Sequence, residues 1–282
     1  MIDPKDITII IPHLGADDQQ EYALDECLQS LKETVPNIQT ILAINGEECG
    51  LRDFHKELFN GLKFVELTDQ GQCKATNAAV ATTNTPWIFV TNDDMIYAPG
   101  WWDKLSWVCE QNGKYEKCVS PQLVEPKQGA PTFEVFFAGG AGGNFDKQKF
   151  LTYLENDQEV AMLRNGFNLP FLINRELWDT VGGYDINYDP WGSNSDSDLE
   201  YKIKLAGIQP KQNTECKVYH FSQTSGTFHP DNNSYYQANF AYFEKKWGFP
   251  RTDEGIWEAT FSIPTKEQGR KFNPSWENKY GV

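Results

Sequence analysis

Three short apolar runs, each followed within two residues by polar side chains, constrain this chain more than any other feature: ITIII at 7–11, ILAI at 41–44 within the strand pattern Ile38 to Ile44, and WIFV at 87–90. Runs this short and this continuous, rich in β-branched and aromatic residues, fit strands buried on both faces of a mainly parallel sheet. Helical signals lie between them. Asp17 and Gln20 have capping-box spacing, and Leu24, Cys27, Leu28, Leu31 and Val35 follow at helical intervals until Pro36. Leu62 to Leu67 predicts another strand, and Ala75, Ala78, Ala79 and Thr82 give the next helix a flat face for close packing. Trp101, Leu105, Val108 and Cys109 mark a further helix before a strand at Lys117 to Ser120. Strand and helix thus alternate through residue 120, the pattern of a doubly wound α/β sheet.

In such sheets ligands bind just outside the carboxyl ends of the strands. The first run ends at Pro12, with His13, Leu14 and Gly15 read as the loop beyond it; the second ends at Asn45-Gly46; the run at 87–90 stops at Asn92, Asp93 and Asp94. Carboxylate oxygens suit hard cations such as Mg²⁺ or Mn²⁺. Two adjacent acids taken alone serve equally well as a polar turn before the helix near Pro99 and Gly100.

Charged residues make up 23% of the 282 residues and aromatics 14%, which implies a globular chain with a sizeable core. A net charge of -15 argues against nucleic acid and anionic membrane as general partners. Six scattered cysteines without a C-x-x-C pair imply reduced, buried thiols. No run approaches the ~20 apolar residues of a membrane span, and the N-terminal apolar run is too short for a signal peptide, so a soluble cytoplasmic protein is expected.

Residues 121–160 break the alternation. Phe133 to Phe137 predicts a strand, and GGAGGN at 139–144 a flexible loop able to fold over substrate. NLPFLIN at 168–174 predicts a buried strand, followed by a short helix and the double-glycine turn of GGYD at 182–185. Leu199, Ile203 and Ala206 are helically spaced and Gly207 suits the position after a helix end, predicting a helix over 197–206. Asp196 then sits at its amino end, where the helix dipole favours an ionised carboxylate; an N-cap role for Asp196 or Asp198 fits the same position. Cys216 to Tyr219 predicts a strand ending at His220. Tyr236, Phe240, Phe243 and Trp247 mark a last helix that packs on the main domain or on a second subunit, which leaves a homodimer open. His55 reads as a surface or packing histidine.

The order of these motifs resembles the family 2 glycosyltransferases. NDD at 92–94 followed by PGWWDKL resembles their Asp-x-Asp signature with Asn92 in the first acidic position, which makes Asp94 the candidate for metal contact. The segment GQCKATN at 71–77 resembles the family's G-x-x-x-A-R-N. RELWDTVGGYD resembles R-x-x-x-x-x-x-G-G-F-D, and SDSDL at 195–199 followed by KIKLAG resembles E-D-x-D-L with R-L and A-G. Ser195 replaces the usual Glu, and AINGE at 43–47 carries Ile44 where the family has a base-binding acid, so Asn45 or Glu47 takes over that contact. The resemblance, covering residues 6 to 225, implies a glycosyltransferase-A (Rossmann-like) fold with a mainly parallel sheet flanked by helices. A catalytic domain would span 1–225, with its nucleotide-binding half at 1–120 and its acceptor half at 121–225, followed by a helical and aromatic extension at 226–282.

The resemblance further implies an inverting transfer from a nucleoside-diphosphate sugar, with a UDP-sugar favoured, to a carbohydrate or other hydroxyl acceptor. Asp196 would be the base; Asp94 and His220 would hold Mn²⁺ or Mg²⁺. Pro12, Asn45, Lys74, Asn77, Asn92 and Asp93 would contact the nucleotide, Asn92 or Asp93 at the ribose, and Trp191 and Asp198 would meet the acceptor. Two competitors remain at this point. A nucleotidyltransferase usually carries a basic glycine-rich loop after its first strand, and PHLGADDQQ at 12–20 contains no Lys or Arg. A binding module on the same fold, without catalysis, is the other.

Overall fold

The computed structural model describes residues 2–15, 17–46, 62–109, 116–127, 129, 133–157, 160–222, 224 and 229–247. The expectations for Glu47, His55 and the aromatic tail beyond Trp247 lie outside these residues. In chain order the elements are β1 (Ile7–His13), α1 (Asp18–Thr34), β2 (Gln39–Asn45), β3 (Leu62–Leu67), α2 (Gln72–Ala81), β4 (Trp87–Val90), β5 (Met95–Tyr97) and α3 (Trp101–Val108). There follow β6 (Cys118–Glu125), β7 (Glu134–Val135), α4 (Lys147–Glu155), β8 (Leu163–Asn165), β9 (Phe171–Asn174), α5 (Arg175–Val181), α6 (Ser195–Leu205), β10 (Lys211–His220) and α7 (Asn233–Trp247).

The described strands form one sheet in the order β3-β2-β1-β4-β9-β6-β10-β5, with β7 beside β6 and β8 beside β10. Pairing is parallel from β3 through β4 and between β6 and β10, but β9 runs antiparallel to both β4 and β6. The sheet is therefore mainly parallel, as expected, with β5, β8 and β9 running against the rest. β8 and β9 run in the same sense, opposite to β6, so the chain crosses the sheet without a crossover helix to turn it round.

Helices cover both faces. Ile9 and Ile11 of β1 and Phe89 of β4 pack with Leu24, Leu28, Leu31 and Trp101 of α1 and α3. Ile10, Ile88 and Val90, whose side chains alternate to the other side, pack with Ala75, Ala79, Trp178, Leu199, Phe243 and Trp247. A strand with helices on both faces has no polar side, which is why these runs are uninterrupted. The Asp17 cap is as predicted: its carboxylate accepts the backbone N–H groups of Gln19 and Gln20.

Three local expectations shift. The strand near 117–120 extends from Cys118 to Glu125, and the one at 168–174 shortens to Phe171–Asn174. The glycine loop at 139–144 is a fixed turn: Tyr219 Oη donates to Gly139 O at 2.7 Å, Ala138 N donates to Tyr219 Oη at 3.1 Å, and Gly140 N donates to Asn144 Oδ1 at 2.8 Å.

The last helix docks on the main domain through a buried charge network. Asp185 Oδ2 accepts from Lys246 Nζ at 2.6 Å and from Tyr242 Oη at 2.8 Å. Asp198 Oδ1 accepts from Trp247 Nε1 at 2.9 Å and lies 2.8 Å from Lys246 Nζ. Lys202 Nζ donates to Gly183 O at 2.6 Å and sits 3.5 Å from Asp198. Two carboxylates and two ammonium groups thus balance in the interior. Burial by itself would raise Asp185, yet Lys246 and the other donors hold its carboxyl below the ordinary value of 3.8. A depressed folded-state value contributes stability above the unfolded value, and that contribution is lost as pH falls through it. Lys246→Met is expected to lower unfolding free energy by about 3–5 kcal/mol in urea melts, because it strands buried carboxylates. The mutant should also show a shallower loss of stability below about pH 4 than the wild type.

Candidate active site

β1, β2, β4, β6 and β10 point the same way, so their carboxyl ends line one edge of the sheet. Each carries polar residues there: His13, Asn45, Asn92 to Asp94, Glu125 and His220. His13 is the last residue of β1, not part of a loop beyond it, and its side chain is fully buried. Its Nδ1 lies 2.6 Å from Asp93 Oδ2, and its Nε2 is 3.7 Å from Glu21 Oε1 of α1. Asp94 Oδ2 accepts from Thr224 Oγ1 at 2.6 Å and lies 3.3 Å from His220 Nε2. His220 Nδ1 is in turn 2.7 Å from Glu125 Oε1. Each acid of the adjacent pair is thus faced by a histidine, and each histidine has a glutamate behind it.

The two acids differ electrostatically. Burial pushes Asp93 up against the opposing pull of His13. Burial acts on Asp94 too, but the His220 charge and the Thr224 hydroxyl outweigh it and hold this carboxyl below its ordinary value. For His220 desolvation is again outweighed, here by Asp94 and Glu125, which push the imidazole up to about 10. The edge therefore stores an ionised carboxylate in a buried setting.

Among the described residues no three His, Cys, Asp or Glu side chains converge as a ready-made metal cage. Asp94 and His220 nonetheless suit a divalent cation as two protein ligands. Asp94 Oδ1 is buried without a hydrogen-bond partner, and the imidazole lies against the other oxygen of the same carboxylate. A site with two protein ligands leaves its other positions to phosphate oxygens and water, as Mg²⁺ sites in nucleotide enzymes do.

Asp196 lies in the first turn of α6, which starts two residues earlier than predicted, at Ser195. Its Oδ1 accepts from Tyr184 Oη at 2.7 Å. Burial, reinforced by Asp196, keeps the Tyr184 phenol well above its ordinary value, so it remains a donor. Tyr184 is itself fixed by Asn77 of α2: Asn77 Nδ2 donates to Tyr184 O at 2.8 Å, and Tyr184 N donates to Asn77 Oδ1 at 2.9 Å. The same helix start receives Asp189, whose carboxylate accepts Cys73 N and Lys74 N at 2.8 and 3.0 Å. α2 has no cap from its own Gly71, so a residue more than a hundred positions away supplies the acceptor. A side chain at Gly183 would run into Asn77 and Trp178, which accounts for the second glycine of GGYD.

Several of the predicted site residues have protein partners here. Asn77 engages Tyr184 with both ends of its amide and so clamps the GGYD turn. Asn45 bridges the strand ends, donating to His13 O and accepting from Gly71 N, each at 3.0 Å. Pro12 is buried inside β1, beside Ala43 of β2 and beyond the end of β4. Asp198 is fully buried in the α7 network and has no surface to offer an acceptor. Asp93 Oδ2 is engaged by His13. Lys74, Asn92 and Trp191 are half-buried. His13, Glu125, Tyr184, Asp189 and Thr224 were not singled out from the sequence. Following the first run past Pro12 finds His13; Glu125, five residues beyond the predicted strand end at Ser120, and the others follow only from the structure. Asn77→Ala is expected to cost about 2–3 kcal/mol in urea unfolding, since it leaves a buried N–H and a C=O of Tyr184 unpaired.

The model of "Glycosyl transferase family 2" matches residues 8–125, which include β1 through β6 and the NDD segment. No curated protein matches the chain. Two similar solved structures are GalNAc-T7 with UDP, GalNAc and Mn²⁺, and the mannosyltransferase PcManGT from Pyrobaculum calidifontis with GDP-Man and Mn²⁺. The first shares 13% identity at a TM-score of 0.60, covering 94% of this chain and 56% of the other, so this chain spans little more than half its length. The second shares 15% identity at a TM-score of 0.55, covering 99% of this chain and 73% of the other. Residues 8–125 thus match glycosyltransferase family 2, within a chain that has the glycosyltransferase-A fold.

Proposed function

We propose that this chain is a glycosyltransferase that moves a sugar from a nucleoside diphosphate to a hydroxyl acceptor, with inversion at the anomeric carbon. The observation that carries this reading is Asp94: a buried carboxylate at the sheet's carboxyl edge, facing His220, with one oxygen unpartnered. The family match over the same strand, and a fold shared with proteins solved with UDP or GDP-Man and Mn²⁺, support it. Two such neighbours with different nucleotides leave the base to experiment, with UDP the first to test.

Asp94 and His220 would hold Mn²⁺ or Mg²⁺, which when bound supplies positive charge to the departing diphosphate. Asp196 takes the proton of the acceptor hydroxyl as that oxygen bonds to the anomeric carbon. The bond from that carbon to the diphosphate oxygen breaks on the opposite face, leaving its electron pair on the diphosphate. Tyr184 holds the Asp196 carboxylate in place through Oδ1. Lys74, Asn92 and Trp191, half-buried, would line the donor and acceptor sides.

No helix among the described residues is long and apolar enough to cross a membrane. The five described cysteines are buried and unpaired, as suits a reducing compartment such as the cytoplasm.

Thermal shifts with UDP, GDP, dTDP and CDP, each with and without Mn²⁺, test the donor side: one nucleotide should stabilise the wild type only with metal, and Asp94→Ala should abolish the response. Asp196→Asn should keep that response yet lose roughly 10²–10⁴-fold in turnover once a donor and acceptor pair is found. Product of retained anomeric configuration, read by NMR, would remove the base role of Asp196. Stabilisation by no nucleotide, with or without metal, would favour the binding-module reading.

A further inference from the structure

We propose that Glu125 is a positioning residue that holds the His220 ring through Nδ1 and so presents Nε2 at the edge, and through it sets the affinity of the edge for a divalent cation. The inference rests on the metal reading of Asp94 and His220 given above. Glu125 ends β6, one strand away from β10, and is 2% exposed. Its Oε1 lies 2.7 Å from His220 Nδ1, so the imidazole donates there and its other nitrogen, Nε2, 3.3 Å from Asp94 Oδ2, is the one left for a divalent cation to take in place of its proton.

Three features fix the place of this carboxylate beside His220. The backbone of Glu125 is fixed by β7, which pairs Val135 with it, and Phe136 N donates to Glu125 O at 2.9 Å. Space for the carboxylate depends on Gly129, because a Cβ there would collide with Glu125 Oε2. Among the described residues His220 is the side chain that Glu125 engages, and its Oε2 is buried without a hydrogen-bond partner. A wholly buried carboxylate with one oxygen unsatisfied is costly to maintain for packing alone. Behind a metal-binding histidine it has a clear use: a carboxylate on the distal nitrogen orients the ring and strengthens it as a ligand. The pairing of Asp93 with His13 and Glu21 repeats the arrangement, but at 3.7 Å Glu21 lies too far from His13 Nε2 for a hydrogen bond.

The experiment titrates Mn²⁺ alone, without donor, into metal-free protein at one fixed pH and follows free Mn²⁺ by its electron paramagnetic resonance signal. Glu125→Gln keeps the shape and removes the charge; Gly129→Ala keeps the charge and displaces the carboxylate; Asp94→Asn is the control for the metal site itself. Mn²⁺ binding should weaken about 10–100-fold in Glu125→Gln and in the same direction in Gly129→Ala, with metal-free melting temperatures near wild type. Binding within about twofold of wild type in Glu125→Gln overturns the positioning role, while a loss in Asp94→Asn in the same experiment leaves the metal reading standing. Absence of Mn²⁺ binding in the wild type overturns both. Should Glu125→Gln fail to fold, Gly129→Ala decides: wild-type affinity there overturns the proposal.

Discussion

Two adjacent carboxylates, Asp93 and Asp94, sit at the end of an apolar strand, and the arrangement around them follows from the energetics of burying them. Desolvating an ion costs several kcal/mol unless a partner compensates. Repulsion between neighbouring acids adds to that cost. The fold answers with two histidines from separate strands, His13 at the end of β1 and His220 at the end of β10. It can do so because β1 and β10 share their direction with β4, which brings all three carboxyl ends to one edge. His220 in turn needs Glu125 from β6, so strands on both sides of β9 are committed to one electrostatic cluster.

A second set of contacts joins the two halves of the chain. α2, from the first half, receives Asp189 at its open N-terminus and clamps Tyr184 with Asn77. Tyr184 then reaches Asp196. The helix start that has no cap of its own and the carboxylate at the start of α6 are therefore parts of one chain of hydrogen bonds. The packing of GGYD against α2 is close enough that only glycine fits at 183. Beneath α6 the Asp185, Asp198, Lys202 and Lys246 network fixes the opposite face of the helix through α7. α6 is thus held from both sides, which keeps the Asp196 carboxylate in one place.

Much of this was legible in the residues. The short apolar runs at 7–11, 41–44 and 87–90 determine buried strands, because only a sheet covered on both faces leaves no polar side. Asp17 determines a helix start, and NDD after an apolar strand determines where acids gather. Asp94 and His220, placed far apart in the chain by motif alone, meet in space. What the sequence could not determine was strand direction and partner choice. The run of β9 reads the same whether it lies parallel or antiparallel, since a buried strand has no pattern that marks its sense. Nor does an isolated Asn or Asp reveal whether its side chain turns to ligand or to backbone: Asn45, Asn77 and Asp198 all proved to be internal ties, a choice made by which element packs beside them. Glu125 and Tyr184 carry no local signal, and only the tertiary structure, by bringing β6 beside β10 and GGYD beside α6, gave them their partners.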